Sequence, residues 1–198
     1  MPGCAAIVLT GGASRRMGRE KASIRPAGWE HTLAERTAGL VAAVAVRAVE
    51  VGPGRTSLLA VSEDPPGTGP LAALAAGWDA LAAGGWRGAA LVVATDLPFL
   101  DLATLRWLAD HPGGSLVPLA GGRPQPLCAR YSAADLDTAR RLVGAGLASM
   151  AALLAEVSPQ LVEAPDPEAL RDVDTPADLA AAGLDGRRAS AAGGGGGS

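Results

Sequence analysis

Apolar residues come along this chain in short blocks, and the spacing inside each block names the element it predicts. Residues 5–9 (AAIVL) form a continuous apolar run stopped by Gly11 and Gly12, the pattern of a central parallel strand covered on both faces. Leu33, Leu40, Val41 and Val44 fall on one helical face, and residues 46–51 and 57–61 (SLLAV) then predict the second and third strands. Leu71, Leu74, Ala75, Trp78, Leu81 and Ala82 follow helical spacing closely, with Gly84-Gly85 as the stop. Residues 89–95 (AALVVAT) are the strongest buried strand in the sequence. A helix over 101–111 turns Leu102, Leu105 and Leu108 inward. Residues 116–119 and 126–131 predict two strands joined by the turn AGGRPQ. Two more helices carry Leu136, Leu142 and Val143, then Met150, Leu153, Leu154 and Val157. A last strand is expected over 159–164, and a last helix over 175–182 that starts at a Thr-Pro cap. Strands alternating with helices predict an α/β domain with a mostly parallel sheet, over residues 1–185. From 186 the chain becomes Ala/Gly-rich and predicts a flexible tail, 186–198.

Composition narrows the class. At 198 residues there is room for one core-forming domain. Apolar residues are 48% but aromatics only 3%, so Ala, Val and Leu must fill the core. A net charge of −3 and a pI near 5.4 argue against a nucleic-acid or membrane-surface binder, each of which wants a basic face. Cys4 and Cys128 form neither a CxxC pair nor a ligand spacing, which excludes a disulfide framework and points away from zinc. The N-terminus lacks a basic segment ahead of its apolar run, and the Ala/Val stretch at 38–46 is broken by Arg47 too soon to span a bilayer. A cytoplasmic location is expected.

Against that acidic balance, the loop leaving the first strand, GGASRRMGREK, carries Arg15, Arg16, Arg19 and Lys21. In an open α/β sheet, ligands sit beyond the carboxyl ends of the strands. Backbone amides at Gly11 and Gly12 can approach an anion closely, and Arg16 and Lys21 can add charge to it. Polyphosphate is the implied ligand, although the loop is neither a GxxxxGK[ST] nor a GxGxxG pattern. Asp96 leaves the sheet at the same edge, in ATDLP, and can either begin a Mg²⁺ site or cap the turn before the next helix.

The stretch LTGGASRRMGREK resembles the signature of the molybdenum cofactor guanylyltransferases, and three further stretches fit in order: EDPPGTGPLAAL (63–74), VVATDLPFL (92–100) and DVDTPADL (172–179). PQPLCARY (124–131) is similar to that family's substrate-side strand. The resemblance implies a Rossmann-like three-layer sandwich of the nucleotide-diphospho-sugar transferase type. It implies transfer of GMP from GTP to molybdopterin with release of pyrophosphate, giving the guanine dinucleotide cofactor. It assigns catalysis to Arg16, Lys21 and Asp96, and nucleotide binding to Leu9, Thr10, Gly11, Gly12, Lys21, Asp64 and Asp96. Mg²⁺ is the implied cofactor, held by Asp96. Asp174 is either a second metal-proximal carboxylate or a hydrogen-bonding stand-in for the asparagine common there. The implied partners are GTP, molybdopterin and cofactor-insertion or acceptor molybdoenzyme proteins, without nucleic acid or membrane.

The sequence departs from the family after the second strand, where VEVGPG offers no side-chain amide to a nucleotide. Related transferases using CTP or another phosphorylated acceptor, and a nucleotide-binding module without catalysis, are the alternatives. His31 and His111 have no partner pattern and are expected at the surface; Arg140-Arg141 are expected to be solvated, and the four tryptophans to serve packing. Arg123 and Gln125, on the glycine turn before 126–131, are candidates for holding a pterin-type substrate.

Overall fold

The computed structural model describes residues 3–11, 21–26, 28–173 and 175–184. Its strands are β1 (Cys4–Leu9), β2 (Ala45–Val51), β3 (Leu59–Val61), β4 (Ala90–Ala94), β5 (Leu116–Ala120), β6 (Arg123–Pro124), β7 (Cys128–Tyr131) and β8 (Gln160–Glu163). Its α-helices are α1 (Leu33–Ala42), α2 (Pro70–Ala83), α3 (Leu102–Ala109), α4 (Ala133–Gly144), α5 (Met150–Val157) and α6 (Pro176–Ala181). The tail from 186 lies outside the described residues.

All six residues of β1 are buried, and β1 pairs in parallel with β2 on one side and β4 on the other. Successive side chains point to opposite faces, so its small and branched residues are divided between two cores. Ala5, Ile7 and Leu9, with Val49, Val51 and Val92, meet Leu71, Leu74 and Trp78 of α2, Leu136 of α4 and Leu153 of α5. Cys4, Ala6 and Val8, with Leu91 and Val93, meet Val41 of α1 and Leu105 and Leu108 of α3. Helices on both faces of one sheet make the three layers that the resemblance implied. Trp78 is buried on the inward stripe of α2, and its Nε1–H donates to Asp137 Oδ1 at 2.8 Å.

Neighbouring strands run in the order β3-β2-β1-β4-β7-β5-β8, with β6 pairing to the end of β5. The sheet is mostly parallel, as expected, but β7 runs antiparallel between β4 and β5. The connection after β5 explains this: a few residues can close a hairpin but cannot cross over to a parallel neighbour. Predicted bounds shrink where backbone groups are drawn elsewhere. Residues 57–58 drop out of β3, as Thr56 N–H donates to Glu50 and Leu58 N–H to the Thr56 hydroxyl. Cys128 N–H turns back to the Gln125 carbonyl, which delays the start of β7. Asp101 and Thr175 stand outside α3 and α6 as N-caps, each side chain accepting from an amide three residues on. His111 is half-buried rather than exposed, with its Nε2 out of contact with solvent.

Gly77 lets α2 lie close to the sheet. A Cβ there would collide with Ile7 Cγ2 and sit 2.9 Å from Val51 Cγ2. Gly77→Ala is expected to destabilise the domain by about 1–3 kcal/mol through overpacking, against a helix-propensity gain of about 1 kcal/mol. Urea unfolding checks it: the midpoint should fall at constant slope, and an unchanged or higher midpoint would contradict the packing.

Candidate nucleotide-binding cleft

Strand order reverses about β1: the chain moves outward through β2 and β3, then returns to the other side of β1 as β4. Such a switch point leaves a crevice at the carboxyl ends of the strands. A cleft of about 640 Å³ opens there, within the range of small-molecule sites. Its floor is the exit of β1 (Leu9, Thr10, Gly11) and of β4 (Ala94, Thr95, Asp96). One wall is Gly52-Pro53, after β2, and another is the loop after β3, including Glu63, Gly67 and Gly69. Ala22, in the 3-10 turn Lys21–Ser23, also lines it.

Two of these segments touch almost backbone to backbone. Thr10 N–H and Gly11 N–H both donate to the Val51 carbonyl, at 3.0 and 3.2 Å. A Cβ on Gly52 would overlap Thr10 Oγ1 and come 2.7 Å from Gly11 N, and Gly52 has φ +149 besides. Only glycine fits this approach. Beneath the contact lies Glu50, which is fully buried. Its Oε1 accepts from Thr10 Oγ1 at 2.6 Å and Arg55 N–H at 2.7 Å. Its Oε2 accepts from Thr56 N–H at 2.8 Å and Thr56 Oγ1 at 2.7 Å. Burial pushes this carboxyl up, but the donors from Thr10, Arg55 and Thr56 together outweigh it and hold Glu50 below the ordinary glutamate value.

Leu9, Thr10, Gly11 and Asp96 therefore share one cleft. The Gly11 amide, expected to face phosphate, donates instead to the Val51 carbonyl. Gly12, Arg15, Arg16, Arg19 and Asp174 lie outside the described residues, as does the Lys21 side chain; the Lys21 backbone precedes the cleft-lining Ala22. Asp64, joined to Pro65 by a cis peptide bond, is exposed and is not among the described residues that line the cleft. Its neighbour Glu63 is, with Oε1 accepting from Gly67 N–H at 2.9 Å. Sequence reasoning missed Glu63 because both acids of the pair stand on the same loop. Residues 171–173 dock beside the tip of β4: Val173 N–H donates to the Asp96 carbonyl at 3.0 Å, and the Arg171 guanidinium lies 4.4 Å from the centre of the Phe99 ring. Arg123, in β6, is exposed; Gln125 is half-buried on the β6–β7 connection, and Leu127 on the same connection reaches the cleft.

No group of three or more His, Cys, Asp or Glu gathers among the described residues. Both thiols are buried and pushed up, Cys4 to about 11 by burial, and Cys128 to about 12 by burial and then by the charge of Asp96. They remain protonated near neutrality and supply no thiolate nucleophile. Among the described residues no helix is long and apolar enough to cross a membrane.

Because Glu50 is depressed in the folded state, the stability it contributes is present above its unfolded value, near 4.5, and is lost as pH falls through its folded value. In Glu50→Gln the amide nitrogen must face one of two backbone N–H donors, at a cost of about 1–3 kcal/mol near neutrality. Denaturant melts of both proteins as pH is lowered below 4.5 should show the gap closing. A gap independent of pH would mean that Glu50 is not held as a carboxylate.

The MobA-like NTP transferase domain family matches residues 6–161. A protein of Mycobacterium tuberculosis H37Rv named a probable molybdenum cofactor guanylyltransferase is 36% identical over 183 residues, covering 88% of this chain and 90% of its own. A protein of Opitutus terrae with the same name is 37% identical over 180 residues, covering 84% and 87%. Among solved structures, the molybdopterin-guanine dinucleotide biosynthesis protein A of Archaeoglobus fulgidus superposes with a TM-score of 0.71 at 24% identity, over 90% of this chain and 96% of that one. The 2-C-methyl-D-erythritol 4-phosphate cytidylyltransferase of Thermus thermophilus shares the fold at a TM-score of 0.63 and 18% identity, over 91% and 97%. With the family's domain spanning most of the sheet and both floor strands of the cleft, this chain belongs to the MobA-like NTP transferases.

Proposed function

We propose that the chain transfers GMP from GTP to the terminal phosphate of molybdopterin, forming the guanine dinucleotide cofactor. The observation that carries this reading is the cleft at the β1/β4 switch point, where a glycine loop followed by four cations leaves one strand and Asp96 leaves the next. The names of the relatives support the choice of GTP and of the molybdenum cofactor as substrates.

An oxygen of the acceptor phosphate forms a bond to the α-phosphorus of GTP, the bond from that phosphorus to the β-bridging oxygen breaks, and pyrophosphate leaves. The nucleophile is already anionic. No strong general base is required. Rate enhancement must then come from positioning and charge neutralisation. Arg16 and Lys21 are the groups proposed to hold the triphosphate and steady the departing pyrophosphate, with amides of the loop beyond Gly11. Backbone groups of Leu9, Thr10 and Gly11 line the floor on which the nucleotide would lie.

The donor set fits magnesium, which favours one or two carboxylates and completes its shell with water and phosphate oxygens. Asp96 is one such carboxylate on the cleft, and Asp174 is proposed as a second on the strength of the resemblance alone. When bound, Mg²⁺ would supply charge neutralisation at the α-phosphate.

Pyrophosphate release measured with each nucleoside triphosphate, with and without molybdopterin, tests the proposal. Release should require GTP and molybdopterin together. Release with CTP in place of GTP would select the cytidylyl alternative, and nucleotide binding without any release would select the binding module. Lys21→Ala is expected to lower turnover by ~10²–10³-fold, the typical loss of one transition-state charge partner; retained turnover would remove Lys21 from the mechanism. Asp96→Ala should lose Mg²⁺-dependent turnover with an unchanged circular dichroism spectrum. An unfolded variant would instead mark the aspartate as structural.

A further inference from the structure

Glu50 is an acid in a place that packing alone does not explain. It occupies the carboxyl end of β2, next to β1 and β3, and is completely buried. Taking a carboxylate out of water is costly, and an apolar side chain would fill such a site without that penalty. What the carboxylate gains is four donors from two separate segments: Thr10 at the exit of β1, and Arg55 and Thr56 in the loop between β2 and β3. Thr10 lines the cleft floor, and Gly52-Pro53 of the same loop lines its wall. Each oxygen of Glu50 already accepts two hydrogen bonds, and Glu50 itself is not among the residues lining the cleft. It has no capacity left for a ligand.

We propose that Glu50 is a positioning residue for nucleotide binding: its carboxylate pins the β2–β3 loop to Thr10 and so fixes the spacing between one wall of the cleft and its floor. The glycine contact at Gly52 and the twin hydrogen bonds to the Val51 carbonyl place the two segments side by side, and neither holds the far end of the loop at residues 55–56. Glu50 does. This inference rests on the cleft being the nucleotide site. It assigns to the chain a device for that site on the strand where a side-chain amide is lacking: the wall is held rigid by a buried anion, so that backbone can meet the nucleotide at a fixed distance.

Glu50→Gln keeps the shape and one acceptor oxygen but sets an N–H₂ against donors. Thr56→Val removes the hydroxyl that donates to Glu50 and accepts from Leu58 N–H, at a half-buried residue, and leaves the carboxylate in place. Steady-state kinetics with GTP as the varied substrate, and GTP dissociation constants from thermal protection, are measured for both beside the unaltered chain. The expected result is a KM and Kd for GTP raised about tenfold in Glu50→Gln and about threefold in Thr56→Val, with kcat within about twofold. A purely structural role lowers the melting temperature of the ligand-free protein and leaves KM and Kd where they were; that result overturns the proposal, as does a fall in kcat at constant KM. If Glu50→Gln does not fold, Thr56→Val decides alone by the same criterion. Should the unaltered chain bind GTP without releasing pyrophosphate, the transfer reaction fails but the comparison of Kd values still decides the role of Glu50.

Discussion

A strand with no exposed face can offer chemistry only at its ends, and β1 is such a strand. Six consecutive buried residues, divided between two cores, hold it in the middle of the sheet. Everything the cleft uses is placed relative to its exit: Thr10 and Gly11 directly, Gly52 by close approach, and Asp96 from the parallel neighbour β4. The two cores need one another. Losing either layer of helices would expose half of β1 and release the registers that bring Leu9 beside Val51 and Ala94.

The chemistry of the cleft is set by what its described lining lacks as much as by what it holds. Apart from Glu63 and Asp96, the lining is small, apolar or hydroxyl-bearing. Such a surface can seat a small molecule by shape and backbone contact. An acidic chain that concentrates four positive charges in one loop spends them locally, where they can act on a ligand, rather than over a general anionic surface.

Much of this order was legible in the sequence, and what escaped did so for definite reasons. Continuous apolar runs identified β1 and β4 because strands buried on both sides tolerate no polar position, and helical spacing identified α2 because its stripe is long. The Thr-Pro start of α6 was visible because capping is chemistry between near neighbours. Direction is not carried by an apolar run, which reads alike in a parallel or an antiparallel strand; for β7 it follows from the short connection after β5. Glu50 was missed for a different reason. In VEVGPG it looks like the solvated position of an alternating strand, and its four donors come from residues that become neighbours only when β1, β2 and the following loop are assembled. That Glu63 lines the cleft was likewise not legible, because which of two adjacent acids a loop turns inward is a matter of backbone path rather than of composition.

The hydrogen bond from Val173 to the carbonyl of Asp96 has a bearing on how the protein comes into being. A ribosome delivers Asp96 and the whole floor of the cleft well before it delivers Val173. The strand tip that bears the aspartate is thus finished only when a late segment returns from beyond β8 to dock on it, after β5, β7 and helices α4 and α5 have been made.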